Sequence, residues 1–183
     1  MANQKYNIVS MILHWLIFAL LVWNIAIGWG LEDMDKAAKL AAIQTHKSLG
    51  FTLLLLVIFR LAWRHIAKPP ALPSTMSARD VKIAGLTHIA LYAIMLGVPL
   101  LGWFMISTSS YKFPTMFWGM FQWPLLPLSG QSFSKPLHEI TEFAHSKLVW
   151  VGIILVILHV AAAIKHQIID KDGVLGRMIP FIK

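Results

Sequence analysis

Four apolar runs, at about 8–31, 49–63, 83–106 and 148–164, divide the chain, and they restrict its fold more than any other feature. A helix needs about 20 residues to cross about 30 Å of hydrocarbon. In water, four such segments would have to be covered on every side. With 57% hydrophobic and only 13% charged residues among 183, there is too little polar surface for that. The chain therefore reads as an all-α membrane protein, a four transmembrane helix bundle in one domain over 1–183. The second and fourth runs are too short to span alone. Extended to full length, the spans become about 8–31, 44–64, 83–106 and 143–166. Each extension carries a histidine, His46 or His145, into the membrane.

The connections have different characters. Residues 64–82 contain Lys68-Pro69-Pro70 and Leu72-Pro73-Ser74, an extended, turn-rich linker. Residues 108–137 are rich in aromatics, and Phe113, Phe117, Trp118, Phe121 and Trp123 suit a membrane interface. Part of this segment is expected to form a short helix on the surface. The net charge of +8 lies between apolar runs, which favours the positive-inside reading over nucleic-acid binding. With both termini and the 64–82 connection in the cytoplasm, that side holds ten of the sixteen Lys and Arg; the other holds six, with five of the eight acids. Both termini are therefore expected to be cytoplasmic. Only Lys5 precedes the first run and no small-residue cleavage motif follows, so the first helix is expected to remain as a signal anchor.

Cysteine is absent. That excludes disulfides, thiolate metal sites and covalent haem attachment through Cys-x-x-Cys-His, and leaves histidine as the natural redox-metal ligand, with methionine behind it. There are eight histidines. His145 and His159 are 159 − 145 = 14 residues apart on one apolar helix. Fourteen steps of ~100° return to within ~40° of the start, at roughly 21 Å along the axis. Two imidazoles on one face at opposite depths point to two stacked cofactors and a route for electrons across the membrane.

Depth sorts the partners. His159 lies six residues above Lys165 and His14 nine residues past Lys5, both near the cytoplasmic side. His145 lies 20 residues above Lys165 and His46 lies 18 above Arg64, both near the outer side. The expected haem pairs are His14 with His159 and His46 with His145. Bis-histidine ligation gives a six-coordinate iron suited to electron transfer, with each second ring nitrogen fixed by a hydrogen bond. His88 competes with His14 for the inner position, and packing or quinone contact is its other reading. His138 competes with His145 but should lie beyond the hydrocarbon. His65 reads as solvated. His166 follows His159 by seven residues at the cytoplasmic boundary, where a histidine can supply protons for quinone reduction or simply face head groups. Arg60, Arg64 and Lys47 are candidates for haem propionates or for snorkelling to head groups. Trp15, Trp63 and Trp150 read as interface or packing residues.

Several segments together resemble the bacterial cytochrome b561 family: Ile12-Leu13-His14-Trp15-Leu16, Thr45-His46-Lys47-Ser48-Leu49-Gly50, Phe59-Arg60-Leu61-Ala62-Trp63-Arg64, Thr87-His88-Ile89-Ala90-Leu91-Tyr92, and His159 through His166 followed by Asp170-Lys171-Asp172. The resemblance implies a four-helix, di-haem cytochrome of the bacterial inner membrane. Two b haems would be held by one histidine from helix 1, one from helix 2 and two from helix 4, the last spaced as His145 and His159 are. It further implies superoxide:ubiquinone oxidoreduction, with superoxide oxidised on the periplasmic side and ubiquinone reduced near the inner haem, where His166 falls at a catalytic, quinone-side position. The outer charge departs from what an anionic substrate favours. Lys36, Lys39, Lys112 and Lys135 are offset by Glu32, Asp33, Asp35, Glu139 and Glu142, leaving positive charge only around Lys47 and Lys147. One rival reading is a non-enzymatic electron-transfer subunit docking a periplasmic dehydrogenase, hydrogenase or cytochrome through the aromatic connection. Another is a haem-free transporter or anchor.

Overall fold

The computed structural model describes residues 5–110, 113–128 and 134–179. Lys112 and Lys183, counted in the charge bias above, lie outside the described residues. Four long helices dominate: α1 (Ile8–Gly30), α2 (Lys36–Ile66), α3 (Ala78–Thr108) and α4 (Ser134–Lys165). All four are long and apolar enough to cross a membrane. The last three run past the spans read from the sequence, because polar caps rather than the ends of the apolar runs start two of them. Asp35 Oδ1 accepts from the backbone N–H of Ala37 and Ala38. Ser77 Oγ accepts from the Asp80 N–H and donates to the Asp80 carboxylate. Each cap satisfies N–H groups that the first turn leaves without a partner.

The packed core is small. Ile17, Leu53 and Val57 are buried, with Leu20, Leu21, Leu56, Tyr92 and Met95 packed around them, so α1, α2 and α3 meet at mid-length. Much of the remaining apolar surface points outward. Ile12, Leu55, Ile89, Ile154 and Ile157 are all about half exposed or more. Large outward-facing aliphatics on every helix suit a lipid surround and would be an aggregation hazard in water.

Between α3 and α4 the chain forms a β-hairpin where a short surface helix was expected. Strand β1 (Met116–Phe117) pairs antiparallel with β2 (Phe121–Gln122), Phe117 opposite Phe121. The turn places both Trp118 (φ 50°) and Gly119 (φ 73°) in the left-handed region, as tight hairpins require. Pro114 and Pro124 bracket the hairpin, and its aromatics favour a pleated surface over a helix.

At the opposite end the first and last described segments lie together. After α4, a π-helical turn (His166–Asp170) and a 3-10 turn (Leu175–Met178) fold back along the bundle. Tyr6 N–H donates to the Arg177 carbonyl at 3.2 Å, the Trp15 indole donates to the Met178 carbonyl at 2.8 Å, and Arg177 donates to the Ala71 carbonyl at 2.6 Å. The tail thereby ties α1 to the α2–α3 connection.

Candidate cofactor site: two layers of paired imidazoles

The structure brings the expected histidines together in two layers. Toward the hairpin end, His46 on α2 faces His145 on α4, with ring centroids 6.3 Å apart and planes at 75°. Toward the tail end, His14 on α1 faces His159 on α4, again at 6.3 Å, with planes at 70°. The equal spacing has a chemical meaning. A first-row metal bonds an imidazole nitrogen at about 2.0 Å, and that nitrogen lies about 1.15 Å from its ring centre, so a metal between two rings sets their centroids about 6.3 Å apart. Both donor sets therefore fit a metal that two neutral imidazoles would hold between them.

The hairpin-end layer is built by a repeated device. His46 Nδ1 donates to the Asn24 carbonyl of α1 at 3.1 Å, and His145 Nδ1 donates to the Val98 carbonyl of α3 at 2.9 Å. A carbonyl can only accept, so both rings carry the Nδ1 proton and keep the Nε2 lone pair for a ligand. One turn beyond each carbonyl stands a glycine. A Cβ at Gly28 would meet His46 Cε1 at 3.3 Å, and a Cβ at Gly102 would meet His145 Cε1 at 3.3 Å and Nδ1 at 3.4 Å. Each ring thus lies against bare backbone on the adjacent helix. Sequence reading missed Asn24, Gly28, Val98 and Gly102. Their paired spacing, with a glycine four residues after the carbonyl in both helices, is the signal it held.

The tail-end layer holds a third imidazole. His88 on α3 stands 5.6 Å from His159, ring to ring, and bonds the Ala84 carbonyl of its own helix. The His14–His159 spacing matches that of the other pair, and the His88–His159 spacing does not. Close by, Arg60 donates from Nε to the Tyr92 hydroxyl at 3.0 Å and from Nη1 to the carbonyl of Ser10, one turn before His14, at 3.4 Å. A small pocket opens there between Tyr6, Ser10, Arg60, Arg64 and Tyr92.

The other candidates fall elsewhere. His138 Nδ1 bonds the Met105 carbonyl at 2.8 Å, which joins α4 to α3 about two turns before His145. His65 is exposed. Lys47 donates to the Thr115 hydroxyl at 3.3 Å, under the hairpin. His166 is held by two acids. Its Nδ1 lies 2.6 Å from Asp172 and 3.1 Å from Asp170, which also pairs with Lys165. The π turn widens the helix enough to bring Asp170 beside the ring, and Lys171 (φ 50°) and Gly173 (φ 73°) turn the chain so that Asp172 returns to it.

A four-helix, membrane-spanning bundle with an imidazole pair toward each end is the architecture of a b-type cytochrome. The family model described as prokaryotic cytochrome b561 matches residues 5–181, and the chain belongs to that family. Among similar proteins is cytochrome b561 homolog 2 of Escherichia coli (strain K12), 30% identical over 96% of this chain and 92% of the relative. Cytochrome b561 homolog 1 of the same organism is 28% identical over 97% and 98%. This is a multi-pass bacterial membrane protein, a b-type cytochrome of electron transfer.

Proposed function

We propose that the chain carries two b haems and passes electrons from superoxide, on the periplasmic face of the bacterial inner membrane, to ubiquinone near the cytoplasmic face. His46 and His145 would hold one haem, and His14 and His159 the other. The observation that carries this reading is the single 6.3 Å imidazole spacing repeated toward both ends of α4. The positive-inside bias supports an orientation with both termini, and hence the tail, in the cytoplasm.

When bound, haem supplies one-electron chemistry at a potential that its ligands and surroundings tune. The chain's own residues do the rest. The Asn24 and Val98 carbonyls hold two imidazoles by their Nδ1 protons and aim both Nε2 atoms inward. Arg60 and Arg64 offer guanidinium groups near the His14 layer, suited to the carboxylates of a haem edge. At the tail, Asp172 and Asp170 orient His166 through Nδ1, leaving Nε2 as the atom that gives a proton to reduced quinone. The balance is two superoxide anions oxidised to two molecules of oxygen, with two electrons and two protons converting ubiquinone to ubiquinol.

The test is stopped-flow mixing of the purified, pigmented protein with superoxide and a short-chain ubiquinone. Oxygen release faster than spontaneous dismutation, and dependent on quinone, is expected. Its absence from protein with full pigment rejects superoxide and leaves a periplasmic redox protein as donor.

A further inference from the structure

The β-hairpin does not lie across the end of the bundle. It runs down the side of α2. Gln44 Nε2 donates to the Pro114 carbonyl at 2.7 Å, and Gln44 Oε1 accepts from the Met116 N–H at 3.2 Å. One turn deeper, Ser48 Oγ donates to the Met116 carbonyl at 3.1 Å and accepts from the Trp118 N–H at 3.0 Å. A further turn along, Thr52 Oγ1 accepts from the Trp118 indole at 2.9 Å. As α2 proceeds from 44 to 52, its partners proceed from 114 to 118. The eight residues between Gln44 and Thr52 cover about 12 Å of helix axis. Twenty residues counted back from Arg64 place the hydrocarbon boundary near Thr45, so Thr52 stands well inside it.

We propose that β1–β2 is a re-entrant hairpin whose tip stands among the lipid acyl chains of the leaflet at that end. Backbone exposed to lipid must find its hydrogen bonds within the protein. One edge of β1 pairs with β2, and Trp123 N–H donates to the Thr115 carbonyl. The other edge is completed by side chains of α2, with Gln44 and Ser48 meeting the Met116 N–H, the Met116 carbonyl and the Trp118 N–H in the manner of a neighbouring strand. The tip itself is apolar and outward-facing. Met120 is 68% exposed, Phe121 48% and Trp118 43%, with no charged side chain from Thr115 to Leu126. The tip continues the lipid-facing surface of α2, where Leu55 is 48% exposed. On the inner side Trp123 stacks on Phe51 at 4.0 Å, and Trp103 of α3 donates to the Pro124 carbonyl at 2.9 Å, so the hairpin is wedged against α2 and α3.

The natural absence of cysteine makes the depth measurable on otherwise native, full-length protein. Met120→Cys is labelled with bimane and reconstituted into phosphatidylcholine–phosphatidylglycerol vesicles. Quenching is read with aqueous iodide and with lipids carrying nitroxide at the head group or at carbons 5 and 12 of the acyl chain. Ratios to nitroxide-free vesicles divide out fixed quenching by any pigment. Leu55→Cys is the mid-helix reference and Lys36→Cys the water reference. The Met120 label is expected to follow Leu55, with acyl nitroxides effective and an iodide quenching constant several-fold below that of Lys36. Strong iodide quenching, quenching by the head-group nitroxide alone, or protection from every quencher would each overturn the proposal, the last by showing a protein contact at the tip. Phe121→Cys repeats the reading on the neighbouring side chain should Met120→Cys fail to accumulate, and the same outcomes decide it.

Discussion

Substituting alanine for Gly102 inserts one methyl group between α3 and the His145 imidazole. The new Cβ would stand 3.3 Å from Cε1 and 3.4 Å from Nδ1. Those are tight contacts, so the ring must retreat by a few tenths of an ångström. Its Nδ1 bond to Val98, 2.9 Å in the native protein, lengthens accordingly. A hydrogen bond of this kind contributes about 1 kcal/mol, and partners behind a metal ligand typically govern about 10–100-fold in metal affinity. A weaker bond at Nδ1 makes the imidazole less basic and favours reduced iron. The midpoint potential of that haem should therefore rise, by on the order of 40 mV for about 1 kcal/mol in a one-electron couple. The helix itself gains from the change, since alanine is favoured over glycine by about 0.5–1 kcal/mol, and Gly97→Ala carries the same gain without the contact. The assay is a redox titration followed at the α-band. Gly102→Ala should move one of two waves upward and leave the other in place. Gly28→Ala, which meets His46 at 3.3 Å, should move the same wave. Gly97→Ala meets nothing within 4 Å and should move neither. Equal effects from Gly97→Ala and Gly102→Ala, or shifts in opposite waves for Gly28→Ala and Gly102→Ala, would refute the shared-layer reasoning.

Other substitutions test other parts. His159→Ala should remove the tail-end haem and about half the pigment, while His88→Ala keeps both haems; a pyridine haemochrome count decides, and loss of pigment from His88→Ala would make that residue a ligand. His166→Phe should slow ubiquinone reduction while leaving the haem spectrum unchanged, and Asp172→Asn should do so less, because Asp170 still holds His166 Nδ1; stopped-flow rates equal to native in His166→Phe would remove His166 from proton delivery. Ser48→Ala leaves the Met116 carbonyl and the Trp118 N–H without a partner on the α2 side, at a cost of about 1–3 kcal/mol for each polar group left unpaired away from water. Its thermal midpoint should fall well below that of Ser146→Ala, an exposed serine, and equal midpoints would show the hairpin is not held by that edge.

Much of the bundle was legible because lipid imposes a simple rule. Long apolar runs must be helices, and their length against the hydrocarbon thickness locates a histidine by depth. Depth alone paired His14 with His159 and His46 with His145, and the structure places the rings of each pair 6.3 Å apart, centre to centre. What sequence could not give was rotation about each helix axis. Gly28 and Gly102 read as ordinary small residues until the facing helix is known. The hairpin was lost for another reason. Its aromatics mark a membrane interface without fixing where a two-residue strand begins, and Gln44, Ser48 and Thr52, which hold it, lie some 70 residues away on α2. The return of Asp172 to His166 depends on a π turn and a left-handed Lys171, and neither follows from helical periodicity.

Haem stoichiometry and coordination, measured together on the purified chain, bear most directly on whether iron sits between imidazoles in both layers. Two haems per polypeptide, both with the sharp reduced α-bands of low-spin iron, are predicted. One haem, a high-spin spectrum in either, or a colourless protein made with porphyrin in excess would contradict it.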